Sequence, residues 1–263
     1  MPKFFVKKEQ ITDKTIKIIG KDVNHIKNVL RMKKEEEIQI GIEELKKDAI
    51  CKIEEIKNEE IICKIINLEE NQVESNIEVT IYQGLPKSDK MELIIQKAVE
   101  LGVYEIYPTK LKRCIVKLEG KDEKKKIERW QKISEVASKQ SGRGIIPKIQ
   151  NITNINEISK EITKYNILLV AYEEEDKNTI KQELKKLKEE INKKEKENEN
   201  KTKKEQQKIK IGVLIGPEGG IDKEEIQKLK ENGAKIITLG KRILRTETVA
   251  LNVLSNIMYE LEQ

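Results

Sequence analysis

Two short segments concentrate the residue types that chemistry needs. Gly216-Pro217-Glu218-Gly219-Gly220 gathers three of the chain's 13 glycines and one of its five prolines. It lies between an apolar run, Ile211 to Ile215, and Asp222, a residue suited to opening a helix. A loop without Cβ atoms lets a ligand approach the backbone, and ligands bind at the carboxyl end of the strands in a parallel sheet. A tight strand-to-helix turn would use the same residues, so this segment alone leaves both readings open. The second segment is Leu239-Gly240-Lys241-Arg242-Ile243-Leu244-Arg245-Thr246-Glu247-Thr248. It brings a glycine, two arginines, two hydroxyls and a carboxylate to the start of an apolar-periodic helix, whose dipole favours an anionic or electron-rich group. A capping network of Thr246, Glu247 and Thr248 could coexist with that role. No P-loop and no GxGxxG is present.

Other chemistries have little to stand on. His25 is the only histidine, far in sequence from any other candidate group, so a Ser-His-Asp or Cys-His mechanism is not expected. Cys51, Cys63 and Cys114 are an odd number without a CxxC pair, so neither a disulfide framework nor a metal site is expected. Of 53 basic residues, 47 are lysine; only Arg31, Arg113, Arg129, Arg143, Arg242 and Arg245 are arginine. Against that background an arginine marks a place where the planar, bidentate fork matters for phosphate or carboxylate.

The elements that must position these residues follow from apolar periodicity. Residues 1 to about 72 hold short Ile/Val runs (Thr15 to Ile19, Glu37 to Ile40, Ala49 to Ile53, Ile61 to Ile66) that suggest a small β-rich barrel or sandwich. Val23 to Met32 interrupts them at helical spacing. From about residue 77, strands alternate with helices. The strands are Ile77 to Gln83, Val103 to Pro108, Ile167 to Tyr172, Ile211 to Ile215 and Lys235 to Leu239. The helices begin near Asp89 (with Glu92 in a capping box), Lys121, Asp222 and Glu247. This alternation argues for a mostly parallel α/β sheet. Residues from about 185 to 208 read as a helical extension fading into a flexible lysine-rich insert, since Asn192 to Lys208 contains no hydrophobic residue.

Composition sets the outer bounds. The 263 residues are 37% hydrophobic, 38% charged and 3% aromatic, with a net charge of +6, so the core must be built from Ile, Leu and Val. Apolar stretches of about six residues fall far short of the ~18 that a membrane span needs. The expected class is a soluble, cytoplasmic protein with no membrane and no metal, and a nucleic-acid or phosphate partner.

The segments HIKNVLRM (His25 to Met32), KMELIIQKAVELGV (Lys90 to Val103), ERWQKISEVASKQSGR (Glu128 to Arg143), IGPEGG (Ile215 to Gly220) and LGKRILRTETVAL (Leu239 to Leu251) carry a resemblance across nearly the whole chain. The chain resembles the RsmE family of ribosomal RNA uridine methyltransferases, within the SPOUT superfamily. The resemblance implies a PUA-like β-barrel RNA-binding domain over 1–72 and an α/β SPOUT domain with a C-terminal trefoil knot over 73–263. It implies S-adenosyl-L-methionine held by three loops: at Val170 and Ala171; at Ile215, Gly216, Pro217, Glu218, Gly219 and Gly220; and at Leu239, Gly240, Ile243, Leu244, Thr246 and Thr248. It further implies a homodimer that methylates uridine N3 in 16S ribosomal RNA, in the context of the 30S subunit. Within that reading Arg245 or Arg242 would stabilise charge on the uracil oxygens and Glu247, or second Glu218, would be the base. Lys3, Arg31, Arg113 and Arg143 would hold RNA phosphates. Lys3 stands where the family often has arginine, Glu35-Glu36 where it has a Gly-Asp turn, and the lysine-rich insert is longer than usual. A SPOUT enzyme for another RNA, or a non-catalytic RNA-binding assembly protein, are the competing readings.

Overall fold

Ile and Cys recurring mostly at alternate positions among charged residues make the amino-terminal strands largely one-sided. The computed structural model describes residues 1–198 and 208–262. The strands are β1 (Lys3–Phe5), β2 (Thr15–Ile19), β3 (Glu37–Ile42), β4 (Lys47–Ile56) and β5 (Glu60–Glu70), in the order β1-β3-β4-β5-β2. Only β1 and β3 run parallel; the other neighbours are antiparallel. Ile16, Ile18, Ile38, Ile40, Ala49, Cys51, Ile53, Ile61 and Cys63 share one buried core. Register shifts at Ile50/Cys51 and Ile53/Glu55 mark irregularities of the kind that bend a strand and curl its sheet. The result is a curled, PUA-like sheet.

The stretch expected as one helix is shorter and changes character. α1 (Lys21–Asn24) passes directly into a π-helical turn, His25–Val29, in which the Leu30 N–H donates to the His25 carbonyl at 2.9 Å. Val23 and Ile26 enter the core, whereas Val29 and Leu30 stay exposed. Arg31 ends the turn in the left-handed region at φ 53°.

The chain divides into two compact units, Met1–Glu74 with Val136–Ile146, and Ser75–Glu135 with Pro147–Gln263. Residues 136–146 therefore go with the amino-terminal unit, although the sequence pattern assigns them to the second domain. Their ionic partners explain it. Lys139 donates to both Asp22 carboxylate oxygens, at 2.9 and 3.1 Å, and Arg143 pairs with Glu74.

The second unit is built on parallel strands: β6 (Ile77–Gly84), β7 (Glu105–Lys110), β8 (Lys148–Ile149), β9 (Thr153–Asn154), β10 (Ile167–Ala171), β11 (Ile209–Ile215) and β12 (Lys235–Ile237). Their order is β12-β10-β11-β6-β7-β8, with β9 also beside β7. All eight residues of β6 are buried, as a strand covered on both faces requires. The helices are α2 (Lys90–Glu100), α3 (Gly120–Ser141), α4 (Ile155–Glu161), α5 (Ile180–Asn198), α6 (Lys223–Glu231) and α7 (Thr246–Leu261). Tyr82, Leu168, Val170 and Leu214 pack with Ile155 and Ile158 of α4 and Ile226 and Leu229 of α6. Strand alternation turns their neighbours to the other face, where α7 packs against β6 and β11 and also against α2 and α5.

Two details differ from the sequence expectation. α5 continues as helix to Asn198, and Leu184 and Leu187 are buried, so the stretch from 185 onward begins as packed helix. The rest of that insert, 199–207, lies outside the described residues. The capping box at Asp89 and Glu92 does not form: Asp89 makes no side-chain cap, and Glu92 pairs with Arg129 at 2.8 Å. The helix start expected at Asp222 does form, and it carries a capping box with Glu225 as its second member that the sequence reading did not name.

Candidate active site

Parallel register brings three loops to one edge. Ala171 of β10 is paired with Ile215 of β11 on one side and Ile237 of β12 on the other. The segments that follow these strands therefore leave the sheet side by side. They contain the residues singled out in the sequence, with Val170 and Ala171 closing β10, Ile215 closing β11, and Leu239 shortly after β12.

The Gly-rich loop folds back tightly. Gly220 N–H donates to the Pro217 carbonyl at 2.9 Å, and Gly220 itself is left-handed at φ 72°, where an L side chain is strained. A Cβ on Gly220 would collide with the Glu173 carboxylate of the neighbouring loop, and one on Gly216 would sit 3.0 Å from Ile221. Gly84 at the end of β6 matters equally, because a Cβ there would come within 2.7 Å of the Pro217 ring. Arg113 braces the outside of the loop, donating to the Gly219 carbonyl at 3.2 Å, with its Nε 3.7 Å from Asp222.

A buried relay ties this loop to α7. Thr246 is 5% exposed; its hydroxyl donates to the Gly216 carbonyl at 2.7 Å and accepts from Gln83 Nε2 at 2.9 Å. Thr246 thus spends its hydroxyl on the loop and does not cap its own helix. Arg245 occupies the N-cap position without a side-chain cap bond. Among the described residues, the backbone N–H groups of Leu239, Ile243, Leu244, Thr246 and Glu247 find no protein acceptor. A set of unfilled main-chain donors beside a glycine turn fits a polar, electron-rich ligand that lies against backbone. S-adenosyl-L-methionine, with its adenine edge, ribose hydroxyls and carboxylate, is of that kind. Thr248 is exposed one turn into the helix, and Gly240 takes a positive φ of 111°.

The charged groups sort into distinct environments. Glu218 accepts from the Lys87 N–H at 3.1 Å and from Lys90 Nζ at 2.8 Å. Burial pushes its carboxyl up, but the bonds from Lys90, from its own backbone and from Lys87 together hold it below the ordinary value of 4.5. Glu247 lies in the first turn of α7, with one buried carboxylate oxygen 3.6 Å from the same Lys90 ammonium and accepting no hydrogen bond. Arg242 and Arg245 are exposed and form no ion pair among the described residues. Ile243 between them is 87% exposed. Among the described residues no group of three His, Cys, Asp or Glu could hold a metal ion.

The four residues expected on RNA phosphates divide. Arg31 is exposed in the amino-terminal unit, and Arg113 is half engaged at the Gly-rich loop. Lys3 and Arg143 are buried in the amino-terminal unit: Lys3 sits 2.9 Å from Asp48, and Arg143 makes two bonds to Glu74 at 2.8 and 2.7 Å. Their charge is spent inside the fold, so the expectation of a direct phosphate contact is revised for these two. Sequence reasoning missed Gln83, Gly84 and Lys90, whose partners lie more than a hundred residues away. Their trace in the sequence was their place at the end of one strand and the start of the next helix, Lys90 also opening one of the segments that carry the resemblance.

The chain that forms this edge is similar to known proteins. The family model for an RNA methyltransferase domain matches residues 73–258, and that for an RNA methyltransferase PUA domain matches residues 18–66. The chain belongs to the RNA methyltransferase family. Among its relatives is the ribosomal RNA small subunit methyltransferase E of Bacillus subtilis, 34% identical over all of this chain and 98% of the relative. The protein of the same name from Mesomycoplasma hyopneumoniae is 33% identical over 97% and 98% of the two chains. The crystal structure of the Neisseria gonorrhoeae ribosomal RNA small subunit methyltransferase E bound to S-adenosyl methionine superposes with a TM-score of 0.77 at 28% identity, covering 98% of this chain and 97% of the other.

Proposed function

We propose that the chain methylates N3 of a uridine in the 16S RNA of the small ribosomal subunit, with S-adenosyl-L-methionine as methyl donor. The observation that carries this reading is the Thr246 relay, which joins the Gly216 loop to the start of α7 and so sets the paired arginines and Glu247 beside a backbone-lined cradle. The relatives named for small-subunit ribosomal RNA methylation support the substrate class.

When bound, the cofactor supplies an electrophilic methyl group. The loops at Val170–Ala171, Ile215–Gly220 and Leu239–Thr248 would hold it, chiefly through main-chain groups. Uridine N3 carries a proton and lies on the Watson–Crick edge, so the base must be unpaired before the arginines and Glu247 can meet it. Arg245 and Arg242, without an ion pair among the described residues, hold the negative charge that develops on the uracil oxygens. Glu247 takes the proton in this reading, supported by its position in the first turn of α7 beside Lys90. Arg31 and Arg113 add phosphate contacts.

The homodimer, the assembled 30S subunit as substrate and a cytoplasmic setting belong to the same proposal. Among the described residues no helix is long and apolar enough to cross a membrane. The knot is also part of it. β12 lies between β10 and the segment Asn178–Ile180, which exchanges hydrogen bonds with Thr238, and the chain then returns to Gly216 through Thr246.

Labelled S-adenosylmethionine supplied with 30S subunits and with free 16S RNA, both lacking the modification, tests the reading by nucleoside mass spectrometry. Appearance of 3-methyluridine is the expected result, and the ratio between the two substrates reports which one is physical. Cofactor binding without 3-methyluridine would refute the target.

A further inference from the structure

The two carboxylates at the site share one cation but differ in how they are held. Lys90 Nζ lies 2.8 Å from Glu218 and 3.6 Å from Glu247, reaching from the first residue of α2 to a loop and a helix that are 128 and 157 positions away in sequence. Glu218 spends its oxygens on hydrogen bonds from the Lys87 backbone and the Lys90 ammonium. Glu247 is held more loosely: its inner oxygen is buried, stands 3.6 Å from the Lys90 ammonium and has no partner at hydrogen-bond distance. An acceptor whose lone pairs are already occupied is a poor destination for a proton, whereas one aimed by a nearby cation keeps its lone pairs available.

We propose that Lys90 is the positioning residue of this site: it anchors the Gly-rich loop through Glu218 and orients Glu247, so that Glu247 and not Glu218 receives the uridine proton. This rests on the functional reading above. The N3–H bond breaks, its electron pair stays on the uracil, and the proton goes to a Glu247 oxygen. N3 then forms its bond to the methyl group as the sulfonium leaves as a neutral thioether.

The test is a double-mutant cycle on the full chain, made of Lys90→Met, Glu247→Gln and the two combined, with Lys90→Arg as the conservative variant. Methyl transfer at saturating cofactor gives kcat, and calorimetric titration of S-adenosylmethionine onto the RNA-free protein gives Kd. Lys90→Met lowers kcat by about 10²-fold, the scale of a misplaced catalytic group, while Kd rises much less. In the Glu247→Gln background the same change adds no further loss, and Lys90→Arg restores most of the rate. Glu218→Gln shows the opposite split, raising Kd more than it lowers kcat. Independent, multiplying losses from Lys90→Met and Glu247→Gln would overturn the assignment. So would a Lys90→Met variant that loses affinity and keeps its saturated rate. Thermal unfolding of each cofactor-free variant checks the fold; if Lys90→Met is unfolded, the Lys90→Arg and Lys90→Gln pair carries the same comparison. A wild-type chain that binds cofactor and transfers no methyl overturns the functional reading and this assignment together. An active wild type with an unchanged Lys90→Met overturns only the latter.

Discussion

Replacing Thr246 by Val removes a hydroxyl while keeping nearly the same shape. The side chain is 5% exposed, and its oxygen both donates to the Gly216 carbonyl at 2.7 Å and accepts from Gln83 Nε2 at 2.9 Å. Gln83 would retain only its bond to the Gly84 carbonyl, and Gly216 would lose this partner. A net hydrogen bond contributes ~0.5–1.5 kcal/mol, and each buried polar group left unpaired costs ~1–3 kcal/mol. The expected loss is therefore about 2–4 kcal/mol from the second unit. For a unit of this size that corresponds to roughly 2–4 °C of Tm per kcal/mol. Urea unfolding followed by tryptophan fluorescence reports the second unit, since Trp130 is buried there and is the only tryptophan. Cofactor affinity, measured alongside, should fall with stability, because the same bond sets where the Gly216 loop stands relative to α7. Thr246→Ser keeps the hydroxyl and should recover most of both. A Thr246→Val change of less than about 0.5 kcal/mol, with unaltered affinity, would refute the reasoning, because it would mean that water replaces both bonds at no cost.

Gly220→Ala forces a Cβ into a left-handed residue, at ~1–2 kcal/mol, and into the Glu173 carboxylate. Cofactor Kd measured by calorimetry should rise by about tenfold or more. Glu218 is held below 4.5, so its contribution to stability is present above 4.5 and is lost as pH falls through its lowered native value. Urea midpoints taken down through that window should drop less steeply in Glu218→Gln than in the parent. Burial pushes the Cys51 and Cys63 thiols up to about 12, so thiol reagents should label them only when the amino-terminal unit opens. Their contribution to stability holds below the ordinary 9.0 and is lost above it, which pulse alkylation across alkaline pH will read.

Much of the architecture was legible because it depends on period and punctuation. Short Ile-rich runs separated by charged turns marked the strands of the first unit, and Asp222 marked a helix start that forms as expected. The Gly216 to Gly220 turn, placed between an apolar strand and that cap, was legible as a strand-to-helix turn at the carboxyl end of the sheet. Contacts between distant segments were not. Asp89 and Glu92 have capping-box spacing, yet Glu92 is drawn to Arg129, which lies 37 residues on and meets it only after α2 and α3 have packed. Gln83, Lys87 and Lys90 look like an ordinary strand end and helix start, and acquire their role only when β6 and β11 pair. The segment at His25 kept its helical apolar spacing but widened into a π turn, which periodicity counted over so few residues cannot distinguish from α-helix.

The arginines show how far residue type alone can be trusted. Chemistry asks the same thing of each one, a planar fork presented to an anion, and the chain itself answers for some of them. Arg143 finds Glu74 and Arg129 finds Glu92, so their forks are filled by carboxylates of the same unit. Arg113 is intermediate, sharing a carbonyl and a distant Asp222. For Arg31, Arg242 and Arg245 the described residues supply no carboxylate at all. In a chain with 47 acidic residues, leaving three of six arginines unpaired in exposed turns is not a shortage of partners. Surface pairs contribute little to stability, so folding alone neither demands nor forbids them there. What an unpaired fork does offer is an anion site whose occupant must come from outside. Two of the three flank Ile243 in the turn where main-chain donors are also open. A positive charge therefore points to RNA only after the internal pairs have been subtracted, and that subtraction needs the fold.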